Sequence, residues 1–209
     1  MSKSKYLFYI SILFLFFNSS VFSQTAEEYY QSGLDKSTEQ DFEGAISDFS
    51  KAIELKPNYT EAYLYRGESK SDLGKFYEAI YDFEKVIELD TNNFSAYFYK
   101  GHAEFVLRKY EEALKDCDKS ILIRPDYDMA FFFRAKIKKE LKDFPGAISD
   151  CDRAIELSPK FFPYYTQRGV NKILSGENEE GCKDIRKAIE LGENPITVKD
   201  ITDTYCNQK

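Results

Sequence analysis

Residues 60–93 read TEAYLYRGESKSDLGKFYEAIYDFEKVIELDTNN. The stretch divides at Gly74-Lys75. Before that break Tyr63, Gly67 and Lys70 to Leu73 lie on one helical stretch. After it Phe76, Ala79, Ile80, Phe83, Val86 and Ile87 recur at i, i+3 and i+4 along a second. The small residues Gly67 and Ala79 let two helices approach closely where a larger side chain would clash. The stretch is a helix–turn–helix unit.

The same unit recurs outward in both directions. Gly33, Gly67, Gly101, Ala135 and Gly169 are each 34 residues apart, as are Ala45, Ala79, Ala113, Ala147 and Gly181. Tyr29, Tyr63, Tyr97, Phe131 and Tyr165 keep the step, and so do Phe42, Phe76, Tyr110 and Phe144, until Asn178 breaks the series. Pro57, Pro125 and Pro159 close three units, where each ends a second helix. A shared period of this length signals stacked repeats, because one hairpin cannot bury its apolar face alone. The expectation is an all-α solenoid of five repeats, 26–59, 60–93, 94–127, 128–161 and 162–195, within a single domain over 24–209. Ile196, Val198, Ile201 and Tyr205 predict a capping helix over 196–206.

At these positions the chain resembles the tetratricopeptide repeat family, over Ala26 to Pro195. The family's aromatic, Gly, Ala, aromatic and Pro are met at Tyr29, Gly33, Ala45, Phe49 and Pro57. Its Leu before the Gly is replaced by Ser32, Arg66, Lys100, Arg134 and Arg168, and the fifth unit departs most, with Asn178 and Gly181 in core places. The resemblance implies a right-handed superhelix whose first helices line a concave groove for a protein or peptide partner. The family's groove places fall on Tyr30, Leu64, Phe98, Phe132 and Thr166, and in a second row on Leu34, Glu68, His102, Lys136 and Val170. Tyr30, Leu64, Phe98, His102, Phe132 and Lys136 are the expected peptide-binding residues. The competing reading has the aromatics among them packed between neighbouring helices. The Lys and Asn with which some family members clamp a terminal carboxylate are replaced by Tyr30, Leu34, Tyr65, Ser95 and Tyr99. An acidic chaperone tail is therefore not the expected ligand.

Composition narrows the function further. The 209 residues carry a net charge of -7, which disfavours a grip on phosphate backbones, so no nucleic-acid partner is expected. One His, no Gly-rich phosphate loop and no paired-Cys zinc pattern leave no enzyme, metal site or cofactor in the reading. Lys3 and Lys5, the apolar run Tyr6 to Phe17 and the small residues before Gln24 read as an export signal over 1–23, cut after Ser23. An uncleaved anchor is the alternative, although the run is shorter than the ~20 residues that span a bilayer. The mature chain is then periplasmic or secreted, without stable membrane insertion. Its expected role is an adaptor; the alternative is a scaffold that self-associates or organises an envelope assembly.

Two further patterns carry expectations. Asp48, Asp82, Asp116, Asp150 and Asp184 share one phase, and Arg66, Lys100, Arg134 and Arg168 share another, with Ser32 in the first unit. Pairing each base with the Asp of the preceding unit accounts for Ser32, which has no predecessor, and leaves Asp184 unpaired. Cys117 and Cys151 fall at a core phase and are expected as buried thiols. Cys182 and Cys206 are the expected disulfide, pinning the cap to the fifth unit; four free thiols are the alternative.

Overall fold

The structure, a computed structural model, describes residues 24–206. The export signal expected over 1–23 lies outside the described residues. The described residues form two compact units that divide between Tyr59 and Thr60. The first holds α1 (Ala26–Thr38) and α2 (Phe42–Leu55). The second holds α3 (Thr60–Asp72), α4 (Phe76–Leu89), α5 (Phe94–Val106), α6 (Tyr110–Ile123), α7 (Asp128–Glu140), α8 (Phe144–Leu157), α9 (Phe162–Leu174) and α10 (Asn178–Glu190). These are five helix–turn–helix repeats, and the four of the second unit stack in chain order as a solenoid.

The turn inside each repeat is set by backbone geometry. Gln40, Gly74, Arg108, Lys142 and Gly176, again one period apart, all have positive φ, between 61° and 94°. In every repeat this residue ends the first helix in a Schellman arrangement. In the third, the Lys109 amide donates to the Glu104 carbonyl at 2.9 Å and the Arg108 amide to the Phe105 carbonyl at 2.9 Å. Glycine meets the left-handed conformation without strain at Gly74 and Gly176, whereas Gln40, Arg108 and Lys142 adopt it against the clash of their Cβ atoms. Helix α1 starts on a capping box, with Thr25 and Glu28 exchanging side-chain and backbone bonds.

Close approach of the paired helices fixes the small residues. A Cβ at Gly33 would lie 2.6 Å from the Phe49 ring, and one at Gly67 the same distance from the Phe83 ring. At Gly169 it would lie 2.8 Å from the Gly181 carbonyl oxygen. Phe49, Phe83, Cys117, Cys151 and Ile185 take equivalent places and are fully buried, so Cys117 and Cys151 are core thiols, and burial pushes that of Cys151 up to about 12.

The charge ladder differs from the expected scheme. Each Asp is held by the first helix of its own repeat. Arg66 donates to both oxygens of Asp82 at 3.0 and 2.7 Å, and Lys70 adds a contact at 2.9 Å. Arg134 and Lys138 hold Asp150, and Arg168 and Lys172 hold Asp184, in the same way. Asp184 is thus fully paired, and Ser32 stands in for the base by bonding Asp48 at 2.7 Å beside Lys36. The antiparallel hairpin brings the two helices of one repeat side by side, and that short-range geometry decides the pairing. Links between repeats do exist, but through a different row: Arg134 reaches Asp118 at 2.7 Å and Arg168 reaches Asp152 at 2.6 Å.

The third repeat breaks the ladder. Glu104 stands where Lys36, Lys70, Lys138 and Lys172 stand elsewhere. Lys100 lies 2.8 Å from Asp116 and 3.3 Å from Glu104, so one cation serves two carboxyls. Burial, then the neighbouring Asp116, raises the Glu104 carboxyl to about 7 against the pull of Lys100. Its Oε2 is buried with no hydrogen-bond partner among the described residues.

The expected capping helix over 196–206 is only partly helical. Residues 195–198 form turns, with Val198 buried, and α11 (Lys199–Ile201) is a single turn that continues as a π-helical turn over Thr202–Cys206. Cys206 is bonded to Cys182 of α10, with Cα atoms 5.5 Å apart. The wider π turn packs on α10 and ends at this crosslink.

Candidate functional site

The first helices α3, α5 and α7 of three successive repeats line a cleft of about 500 Å³. Its apolar surface comes from Phe98, Met129, Phe132 and Phe133, with Phe76 from the start of α4. Phe98 and Phe132 are each 8% exposed, so they form a floor and do not protrude. Phe98 meets the Phe133 ring edge-on with centroids 5.7 Å apart and belongs to a core with Ala113, Cys117, Ala130 and Ile137. Phe132 packs on Tyr164 with centroids 5.0 Å apart. Lining the cleft and packing between helices, set against each other on sequence, are here two faces of the same rings.

Charged groups stand around this floor. Glu68 and Asp72, one turn apart on α3, share a face. Burial, with Asp72 adding, raises the Glu68 carboxyl to about 7, and the Tyr99 hydroxyl beside it works the other way. Asp72 is raised as well, chiefly by desolvation. On α5 the His102 ring lies 5.1 Å from that of Phe133, and desolvation followed by the Lys136 cation holds its imidazole below the ordinary value. On α7 the Lys136 ammonium sits 4.4 Å over the Phe132 ring, and desolvation lowers its pKa.

Four of the six expected residues, Phe98, His102, Phe132 and Lys136, therefore meet in one cleft. Leu64 is half-buried on α3 and does not line it. Tyr30 belongs to the first unit, where its ring packs against Phe49 and Tyr59 at 5.9 and 5.0 Å. Asp72 and Phe133 were not among the expected residues. Asp72 follows Glu68 by four residues and Phe133 precedes Lys136 by three, so helical periodicity carried a signal for both. Among the described residues no cluster of His, Cys, Asp and Glu could hold a metal ion, and no helix is long and apolar enough to cross a membrane.

Profiles of the tetratricopeptide repeat match residues 26–59, 60–93 and 94–127. The chain belongs to the tetratricopeptide repeat family. No curated protein matches it. Among solved structures, a crystal structure of MamA is similar at 27% identity and a TM-score of 0.72, over 79% of this chain and 96% of that one. MamA from Desulfovibrio magneticus RS-1, residues 41 to the end, has 20% identity and a TM-score of 0.74, over 79% and 94%. YrrB, described as a TPR protein with an unusual peptide-binding site, has 19% identity and a TM-score of 0.72, over 85% and 92%. As a tetratricopeptide repeat protein the chain is a protein–protein interaction module.

Proposed function

We propose that this tetratricopeptide repeat protein is an exported adaptor that holds a peptide or helix of a partner protein in the cleft of α3, α5 and α7. The observation that carries this reading is the aromatic floor: Phe98, Phe132 and Phe133 present faces to one open cleft ringed by polar groups. Aromatic surface in a concave site, bounded by a few polar side chains, is what anchors a partner's apolar side chain. Export is supported by the reading of residues 1–23 and by the Cys182–Cys206 bond, which persists in an oxidising compartment, periplasmic or extracellular. Within the second unit, ion pairs inside and between the third, fourth and fifth repeats tie the helices that carry and flank the cleft.

The test is a binding titration. Phe98→Ala together with Phe132→Ala weakens partner binding by roughly 2–4 kcal/mol. Both rings also belong to the core, so a second variant is needed that does not remove packing. His102→Trp places a bulky ring in an exposed position at the cleft and blocks it. Loss of affinity with unchanged helical circular dichroism supports the reading. Unchanged affinity in His102→Trp contradicts it.

A further inference from the structure

The charges on α3, α5 and α7 divide into two populations. On one side of these helices every cation is bound to an aspartate: Arg66 and Lys70 to Asp82, Lys100 to Asp116, Arg134 and Lys138 to Asp150. On the cleft side, Glu68, Asp72 and Lys136 form no ion pair among the described residues. Apart from Glu104, which shares Lys100 with Asp116, the partly buried charges on the structural side are matched by opposite charges, whereas those in the cleft are not. Glu68 and Asp72 also repel each other at i, i+4, an arrangement a helix gains nothing from.

The unpaired charges are ordered along the stack. Carboxylates stand on α3, apolar rings with His102 on α5, and a cation on α7. We propose that the cleft selects a peptide segment with a cationic side chain over α3, an apolar side chain over the floor and an anionic side chain over α7. This rests on the peptide-binding reading above and adds the class of segment recognised. α3 and α7 are two helix spacings apart, roughly 16–20 Å at 8–10 Å per packed pair. An extended chain covers that distance in about five to six residues. Burial disfavours the charged forms of Glu68 and Lys136, and an opposite charge from the ligand relieves both. Either backbone direction satisfies the order, because the cleft fixes only which end carries which charge.

The test uses a displayed library of random ten-residue peptides panned on the purified protein, on Lys136→Glu and on His102→Trp. The wild type is expected to enrich peptides with one basic and one acidic residue about five or six positions apart around an aromatic or aliphatic residue. Lys136→Glu, at a half-exposed position, shifts the enrichment to peptides basic at both ends. In single titrations, making both ends of a selected peptide acidic weakens wild-type binding about ten-fold, the size of one lost charge-assisted contact. Enriched peptides that show no charge order and are indifferent to Lys136→Glu, yet lose binding in His102→Trp, overturn the charge order and leave the cleft standing. Peptides that bind all three proteins equally, or no enrichment at all, overturn the cleft as well.

Discussion

Arg134 donates to both carboxylate oxygens of Asp150, at 2.9 and 2.6 Å, while its remaining terminal nitrogen reaches back to Asp118 of the preceding repeat. One guanidinium closes its own hairpin and ties it to a neighbour. Lysine could not do both, since only the planar fork presents paired donors to one carboxylate and another to a second. Arg168 repeats the arrangement with Asp184 and Asp152.

Removing an aspartate from this ladder should therefore hurt most where it leaves two cations behind. Asp184→Asn takes the partner from Lys172 and leaves Arg168 only Asp152, both cations being less than one-fifth exposed, and is expected to cost about 3–5 kcal/mol. Asp116→Asn leaves Lys100 still beside Glu104 and is expected to cost less than half as much. Urea denaturation of the two variants decides the order. Equal costs would mean that the contacts within repeats do not carry the stability assigned to them.

The substituted rung in the third repeat makes stability depend on pH near neutrality. The Glu104 carboxyl is raised from 4.5 to about 7 in the folded protein, so the folded state binds its proton more tightly than the unfolded chain does. Its favourable contribution is complete below pH 4.5 and is lost as pH rises through about 7, a change of on the order of 3 kcal/mol. Glu68 is raised to the same value and acts in the same direction. Denaturation midpoints at pH 5 and pH 8 should fall with rising pH in the wild type and fall less in Glu104→Gln. A midpoint that rises over that interval refutes the assignment.

The intra-repeat turns give a conformational prediction. Arg108 and Lys142 hold left-handed φ values of 61° and 63° that Gly74 and Gly176 adopt without strain. Arg108→Gly or Lys142→Gly should each stabilise the protein by about 0.5–1 kcal/mol, the relief of the Cβ clash less the added freedom of the unfolded chain. Thermal melts of the single variants measure it. Destabilisation would show that the side chains contribute more through their surroundings than the backbone loses.

At the C-terminal end, the Cys182–Cys206 bond closes a 24-residue separation, for which chain entropy gives roughly 3–4 kcal/mol. Cys206→Ser should release the last turn first, seen as faster hydrogen exchange over 178–206 with the earlier repeats unchanged. Peptide mapping of the exported protein without reductant should recover a Cys182–Cys206 crosslink, with Cys117 and Cys151 alkylated only after denaturation. A free Cys206 in that protein would remove the crosslink from the account.

Much of this architecture was legible in the chain. The period of Gly33, Gly67, Gly101 and Gly169 located the close approaches of paired helices because only a missing Cβ admits a ring at 2.6 Å, as Phe83 does at Gly67. The ladder partners were less legible. Asp82 and Arg66 are 16 residues apart and Asp82 and Lys100 are 18 apart, so spacing alone hardly distinguishes them, and the antiparallel turn decides. The cleft was half legible for a similar reason. Phe98 and Phe132 sit in one row of the repeat, but whether a ring faces its neighbour or open space depends on packing that no single row records. The end of the chain was least legible, since the π turn at Thr202–Cys206 answers to the crosslink and to buried Val198 as much as to local propensity.

His102 is the only histidine in the chain, and it stands among Phe98, Phe132, Phe133 and Lys136 in the cleft. Its imidazole proton resonances therefore report on the cleft without any assignment of the rest of the spectrum. Titrating the protein with a partner peptide selected on it, while following these resonances by NMR, tests the peptide-binding cleft most directly. They are expected to shift in step with saturation, and a peptide bringing an acidic side chain beside Lys136 and His102 is expected to raise the imidazole pKa. Resonances that stay in place while the peptide saturates the protein would contradict the peptide-binding cleft.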